Sequence, residues 1–104
     1  MKKIYSIIPT KLYAILEHNY QFIDLRSPSD YQRFHLKNFQ NIPASSLLQQ
    51  LPSLNTSLPI ILLCYSGRVA KQYAPLLTSK GFEVYIVEGG INSVLYPIDE
   101  QLYF

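Results

Sequence analysis

The sequence contains a single cysteine and only two histidines among its 104 residues. A lone thiol cannot close an intramolecular disulfide, so we expect a fold that does not depend on oxidation. The two histidines, at positions 18 and 35, lie far from Cys64 and lack the short spacing of zinc ligands. No GxGxxG dinucleotide-binding motif follows the first predicted strand, and the Gly89-Gly90 pair is not such a motif. We therefore expect no bound metal and no cofactor.

Charge is also scarce. Charged residues make up 15% of the chain and the formal net charge is +2 at pH 7, with the basic residues scattered. Such a chain lacks the clustered basic surface of a nucleic-acid-binding protein. No apolar stretch approaches the roughly 20 residues of a transmembrane helix. Pro9, Lys11 and Glu17 interrupt the start of the chain, which otherwise resembles a signal peptide. We expect a cytoplasmic protein with neither nucleic acid nor membrane as a partner.

Apolar residues, in contrast, are plentiful. They make up 48% of the chain, which at this length predicts one globular domain over residues 1–104 with one core. Strand and helix patterns alternate along the sequence, which predicts an α/β fold with a mainly parallel central sheet. We expect strands over residues 3–8, 21–25, 60–63 and 83–87, and helices that begin near Pro9, Ser27, Ser45 and Gly67.

Several residues carry signals for helix boundaries. Ser27 followed by Pro28 is typical of a helix start, and Ser45 is a candidate cap for a helix that carries the leucines at 47, 48 and 51. Asn19 is a candidate left-handed stop for the first helix. Pro75 conflicts with the helix predicted after Gly67, because it removes one backbone hydrogen bond.

Cys64 occupies the most informative position. It follows four consecutive branched aliphatic residues, a run typical of a strand that is buried on both faces. A turn at Gly67 and a helix come next, so the thiol faces backbone N–H groups and the positive end of a helix dipole, which favour the thiolate. A lone cysteine is usually a small buried apolar residue. Its position at the exit of the strand, not inside it, favours an exposed nucleophile instead.

Polar residues follow a second strand in the same way. Because ligands bind beyond the carboxyl ends of parallel strands, we expect Asp24 and Arg26 to share one rim of the sheet with Cys64–Arg68. We expect the carboxylate of Asp24 to accept from loop N–H groups and Arg26 to pair with Asp30. His35 is interpreted as a residue that fixes a turn.

The order and spacing of these segments resemble the rhodanese (thiosulfate sulfurtransferase) family. The resemblance extends from about Ile8 to Leu95 and rests on several short motifs in sequence. They are FIDLRSPSDY at 22–31, HL at 35–36, NIP at 41–43, ILLCYSGR at 61–68, GF at 81–82 and EGGI at 88–91. The resemblance implies a three-layer rhodanese-like fold in which helices flank the mainly parallel sheet.

The resemblance also implies an activity. Cys64 would take sulfane sulfur from a small donor such as thiosulfate, hold it as a persulfide and pass it to a small thiol or a protein acceptor, or to cyanide in vitro. The family's active-site loop maps onto Cys64, Tyr65, Ser66, Gly67, Arg68 and Val69. Asp24 and Arg26 would support the loop. Many relatives carry Arg or Ser late in the loop, where this chain has Val69 and Ala70, so Arg68 is the only loop cation.

Two other functions are compatible with the motifs. Related enzymes of this fold act as cysteine phosphatases or arsenate reductases, but their loops place an arginine six residues after the cysteine. This chain has Ala70 at that position. The other alternative is a catalytically silent rhodanese-like binding module in which Cys64 is incidental. The presence of Cys64, Gly67 and Arg68 together favours the sulfurtransferase.

Overall fold

All five strands of the structure run parallel in a single sheet. The computed structural model describes residues 3–94. The strands are β1 (Ile4–Ile7), β2 (Gln21–Asp24), β3 (Gln40–Asn41), β4 (Ile60–Leu63) and β5 (Val84–Val87), and their order across the sheet is β1-β5-β4-β2-β3. This arrangement confirms the expected α/β fold and its parallel central sheet.

Helices cover both faces of the sheet. They are α1 (Pro9–Ile15), α2 (Pro28–Arg33), α3 (Leu47–Gln50), α4 (Arg68–Ser79) and α5 (Gly90–Val94), with short 3-10 turns at Ala44–Ser46 and Leu51–Ser53. One apolar cluster joins α3 and α4 to the sheet, and a second joins α1 and α5 to the opposite face. The result is the expected three-layer fold. Within residues 3–94 no helix is long and apolar enough to cross a membrane.

The central strand β4 divides its side chains between the two clusters. Ile60 and Leu62 pack on the α4 side, whereas Ile61 and Leu63 pack on the α1 side, and all four are buried. A strand buried on both faces needs apolar residues at every position. This requirement explains the uninterrupted aliphatic run in the sequence.

The strong helix-start signals were sufficient to place two helices. α1 begins at Pro9 and buries Leu12, and the hydroxyl of Ser27 accepts from the backbone N–H of Asp30 at 3.3 Å where α2 begins. Pro75 lies inside α4 on its exposed side. Both helix starts therefore follow from local sequence, as expected.

Two predicted helix boundaries are wrong. Asn19 does not stop α1 in a left-handed conformation. Among the non-glycine residues of 3–94 only Asn38 has a positive φ, of 69°, and its side-chain amide donates to the carbonyl of Leu16 at 2.6 Å. The end of α1 is thus capped from a loop 22 residues further along the chain. Ser45 makes no side-chain cap, because the chain forms two 3-10 turns around a four-residue helix there.

The two roles of Asn38 can be separated by substitution. We expect Asn38→Ala to lower the free energy of unfolding by about 2–3 kcal/mol, because it removes a hydrogen bond and strains a left-handed backbone. Asn38→Gly removes the hydrogen bond without straining the backbone, but glycine adds conformational freedom to the unfolded chain, so this variant should cost about 1.5–2 kcal/mol. Urea denaturation of both variants measures the difference. A loss in Asn38→Gly as large as that in Asn38→Ala would show that the strain of a left-handed alanine does not exceed the entropy cost of glycine.

Candidate active site

The sulfur of Cys64 lies in a cradle of backbone donors. Its Sγ accepts from the backbone N–H of Gly67 at 3.1 Å and from that of Ala70 at 3.5 Å. Gly67 precedes α4 with a φ of 95°, a left-handed conformation that turns the chain so that the first N–H groups of the helix face the sulfur. These N–H groups have no partner inside the helix. The cradle can therefore stabilise a negative charge on Sγ or on a sulfur atom bound to it.

The expectation that Cys64 is exposed is wrong. The residue is only 2% exposed and belongs to the apolar cluster on the α4 side of the sheet. Because Cys64 directly continues the central strand β4, its side chain points into the layer between the sheet and α4. In the same loop Ser66 and Arg68 are exposed, whereas Val69 packs against the apolar cluster.

The start of α5 holds the cysteine loop from the other side. The backbone N–H of Ile91 donates to the carbonyl of Cys64 at 2.8 Å, and that of Asn92 donates to the carbonyl of Tyr65 at 3.1 Å. This contact needs glycine at position 90, because a Cβ there would lie 2.5 Å from the carbonyl carbon and oxygen of Tyr65. This role of Gly90 was not predicted from the sequence. The only available signal was the Gly-Gly pair after β5.

Asp24 and Arg26 meet at the same rim as the loop, as expected from the adjacent parallel strands. Leu25 donates through its N–H to the carbonyl of Leu63 at 2.7 Å, which places the end of β2 beside the end of β4. The carboxylate of Asp24 is fully buried and accepts from the backbone N–H of Arg26 at 3.0 Å.

The expectation that Arg26 pairs with Asp30 is wrong. Its guanidinium binds Asp24, with Nη2 to Oδ2 at 2.8 Å and Nε to Oδ1 at 3.0 Å, and not Asp30. Nη2 also donates to the carbonyl of Phe34 at 2.8 Å. Arg26 is only 3% exposed, so its charge is stable there because a buried carboxylate accepts from two of its nitrogens. Asp30 lies instead at the start of α2, where it accepts from the hydroxyl of Ser27.

A cavity of about 180 Å³ opens beside the loop. Tyr65 forms one wall, and its hydroxyl donates to the carboxylate of Asp30, so that the loop is tied to α2. The hydrogen bonds from Tyr65 and then from Ser27 lower the pKa of Asp30 below its usual range. Ile91 and Asn92 of α5 also line the cavity. His35 lies outside this cavity, with Nδ1 at 2.9 Å from the carbonyl of Tyr31.

The fold and the loop define a class of α/β domain in which a cysteine at the carboxyl end of a parallel strand faces a helix start. Comparison with known families makes the assignment specific. The family profile of the Rhodanese-like domain matches residues 9–95, and the chain belongs to this family.

Individual relatives agree with the family assignment. The thiosulfate sulfurtransferase GlpE of Vibrio cholerae serotype O1 is 32% identical over 72 residues, which span 68% of each protein. GlpE of Pseudomonas fluorescens is 28% identical over 93 residues, which span 88% of this chain and 85% of that protein. The crystal structure of a rhodanese-related protein from Thermoplasma volcanium superposes with a TM-score of 0.81 at 27% identity, covering 88% of this chain and 90% of that one. The family and its three-layer fold, both expected from the motifs, are confirmed.

Substitution of Gly90 tests the close approach of α5 to the loop. We expect Gly90→Ala to lower the free energy of unfolding by about 2–5 kcal/mol, because the methyl group collides with backbone atoms and the φ of 63° is strained for alanine. Gly81→Ala is the matched control. Gly81 has a φ of 97°, and no atom lies within 4 Å of the position that an alanine methyl group would take, so this variant carries the strain without the collision. Chemical denaturation measures the loss of stability in both variants. Equal losses would show that the close approach of α5 to the cysteine loop contributes nothing to stability.

The Tyr65–Asp30 contact predicts a pH-dependent effect. The pKa of Asp30 is lower in the folded protein than in the unfolded chain. The contact therefore contributes its full stability at pH values above the unfolded pKa, and this contribution is lost as the pH falls through the folded pKa. We therefore expect Tyr65→Phe to be less stable than the native chain at pH 7 and equally stable in acid. Carboxyl NMR titration should show the pKa of Asp30 moving upward in the variant. Tyr73→Phe is the control, because the hydroxyl of Tyr73 makes no hydrogen bond within residues 3–94. A change of the same size in that control would contradict the assignment.

Proposed function

We propose that this protein is a sulfurtransferase that carries sulfane sulfur on Cys64. The observation that carries the proposal is the position of Sγ, within 3.1 Å of the Gly67 N–H and 3.5 Å of the Ala70 N–H at the start of α4. Membership of the Rhodanese-like family and the relatives named as thiosulfate sulfurtransferases support the same activity.

The first half-reaction loads the cysteine. The Cys64 thiolate attacks the outer sulfur of thiosulfate, the S–S bond of thiosulfate breaks, and sulfite leaves with the bonding electrons. A persulfide then remains on Cys64. The N–H groups of Gly67 and Ala70 are positioned to stabilise its negative charge. Arg68, exposed at the first position of α4, supplies a cation for the oxygens of the donor.

The second half-reaction transfers the outer sulfur of the persulfide to an acceptor. A nucleophile, cyanide in vitro or a thiol in cells, attacks the outer sulfur, and the S–S bond to Cys64 breaks to restore the thiolate. The sequence has no second cysteine that could resolve the persulfide internally as a disulfide. The outer sulfur lies about 2 Å from Sγ, the length of an S–S bond. The acceptor therefore has to reach only this outer atom, and not Sγ, which is buried.

Neither alternative function fits the loop as well. A phosphatase or arsenate reductase loop needs a cation six residues after the cysteine to enclose a tetrahedral oxyanion. Here that position is Ala70, a buried residue of α4 that offers only a methyl group and a backbone N–H. In a silent binding module, nothing would require two backbone donors to converge on the sulfur. The loop is thus better suited to holding sulfur than phosphate.

Intact mass spectrometry tests the persulfide directly. After incubation with thiosulfate, we expect the native chain to gain the mass of one sulfur atom, and the adduct to disappear when cyanide is added. Cys64→Ser should gain nothing under the same conditions. An unchanged native mass after exposure to thiosulfate and to organic persulfides would exclude the sulfur-carrier function.

The role of Arg68 can be tested with two donors. We expect Arg68→Ala to slow loading by thiosulfate about fivefold, the factor for a solvent-exposed charge contact of about 1 kcal/mol. Loading by a neutral organic persulfide should change little, because that donor has no sulfonate oxygens. Lys71→Ala removes an exposed cation one turn further along α4 and serves as the control. Equal slowing with both donors would mean that Arg68 supports the loop and does not select the donor.

A further inference from the structure

Strand β1 forms one free edge of the sheet. It bonds to β5 on one side, and no strand of residues 3–94 lies on its other side. The opposite edge strand, β3, has only two residues and is closely followed by Pro43. β1 contains no charged residue and no proline, two of the features with which edge strands prevent further pairing. The outer side of β1 is therefore suited to accept another strand.

The ladder between β1 and β5 shows which backbone groups lie along this free edge. The N–H of Glu88 donates to the carbonyl of Ile7 at 2.9 Å, so the backbone groups of Ile7 face β5. Successive residues of a strand direct these groups to opposite edges, so those of Ile4 and Ser6 face outward. Ile8 is also extended, with a φ of −79° and a ψ of 155°, and its N–H faces outward too.

Exposed apolar side chains are concentrated at the same edge. Three of the five large apolar residues that are exposed in residues 3–94 lie here, namely Ile4 at 43%, Tyr5 at 39% and Ile8 at 45%. Tyr5 stacks on Tyr85 on the α1 side of the sheet. Because side chains alternate along a strand, Ile4 and Ile8 share the opposite side. Two isoleucines are thus exposed on one face, at the two ends of a row of outward backbone groups.

We propose that β1 pairs with β1 of a second copy of this chain, antiparallel and around a two-fold axis at Ser6. In this register the two Ser6 residues exchange N–H···O bonds, and the N–H of Ile8 donates to the carbonyl of Ile4 in the other copy. Both kinds of bond occur twice by symmetry. Ile4 of each copy packs against Ile8 of the other, which lies on the same face and is exposed to nearly the same extent.

The self-complementarity of this segment favours a second copy over an unrelated peptide. A two-fold contact uses the same patch on both molecules, and here each exposed isoleucine meets an exposed isoleucine. Charge does not oppose the contact. Lys3 is the only charged residue at positions 3–8, and in this register the two copies of Lys3 lie about 20 Å apart, well beyond the screening length of about 8 Å.

The contact is small, which sets the expected affinity. Five residues from each copy take part, whereas a stable interface uses about 20–30 residues a side. We therefore expect a weak dimer with a Kd of about 100 µM. The strands of the two copies run in opposite directions, and β5 separates β1 from β4 in each. The two cysteine loops thus lie at opposite ends of the dimer and stay uncovered, so this inference does not depend on the proposed function.

Sedimentation equilibrium of the full chain tests the dimer. The average mass should rise from near 12.0 kDa at about 10 µM to well over halfway towards twice that value at about 500 µM. Ser6→Pro removes an N–H that faces away from β5 and leaves the β1–β5 ladder complete, so it should weaken the dimer about tenfold or more. Ser6→Thr keeps the N–H and should behave as the native chain. A monomer at about 500 µM, or an unchanged dimer in Ser6→Pro, would overturn the proposal.

A charge pair tests the register without a proline. Ile4→Lys and Ile8→Glu should each weaken the dimer about tenfold, because a charge replaces an apolar contact. The double variant should recover most of the loss, since the introduced lysine lies opposite the introduced glutamate of the other copy. Within one chain positions 4 and 8 are about 13 Å apart along the strand, too far to pair. A double variant as weak as the two single variants would contradict the register.

Hydrogen exchange distinguishes a second copy from a segment of the same chain. The amides of Tyr5 and Ile7 face β5 and should exchange slowly at every concentration. Those of Ser6 and Ile8 should exchange several times more slowly at about 500 µM than at about 10 µM. Equal protection of Ser6 and Ile8 at both concentrations would show that the edge is covered within one molecule. Fast exchange at both would show that the edge stays open, and either result would overturn the dimer.

Discussion

The pairing of β4 between β2 and β5 determines where the chemistry of this protein can take place. β4 is the central strand of the sheet, hydrogen-bonded on both sides and buried at all four positions, so its end is firmly held. In this register Leu63 lies beside Asp24, and Leu62 lies beside Ile86. The segments that leave β2, β4 and β5 therefore meet at one rim. The cavity is built from all three segments, whereas the cysteine cradle is built from the segment after β4 and is held in place by the segment after β5.

The buried pair of Asp24 and Arg26 connects this rim to the rest of the fold. Its two charges are nearly inaccessible to water, at 0% and 3% exposure. Removing either partner from such a pair leaves an uncompensated charge, which typically costs about 3–5 kcal/mol. Asn41 donates to the carbonyls of both residues at 3.0 Å, which adds the edge strand β3 to the same network. The guanidinium of Arg26 is thus held in one orientation at this rim.

Local features of the fold and the site could be predicted from the sequence, because each depends on neighbouring residues. The aliphatic run over 60–63 predicted β4, and the pattern after Gly67 predicted α4, even though Pro75 interrupts it. Long-range features could not be predicted in this way. The cap that Asn38 places on α1 and the contact of Gly90 with the cysteine loop depend on segments that are distant in the chain.

The difference between local and long-range features also explains the two wrong predictions at the site, which concern the partner of Arg26 and the exposure of Cys64. Arg26 has two acidic neighbours at similar separations in sequence, and only the inward turn of the chain after β2 selects Asp24 over Asp30. The exposure of Cys64 was misjudged because position at a strand end indicates access to the rim but not the direction of the side chain. The packing of α4 on the sheet determines that direction, and the motif does not contain this information.

The burial of Cys64 has a consequence for how two copies of this protein can meet. A disulfide requires two sulfur atoms to approach within about 2 Å, and a residue that is 2% exposed at the end of a central strand cannot reach such a partner on another molecule without local opening. Burial therefore suppresses dimers linked by a disulfide between two Cys64 residues. The burial of its only thiol thus keeps this chain from cross-linking to a second copy through Cys64.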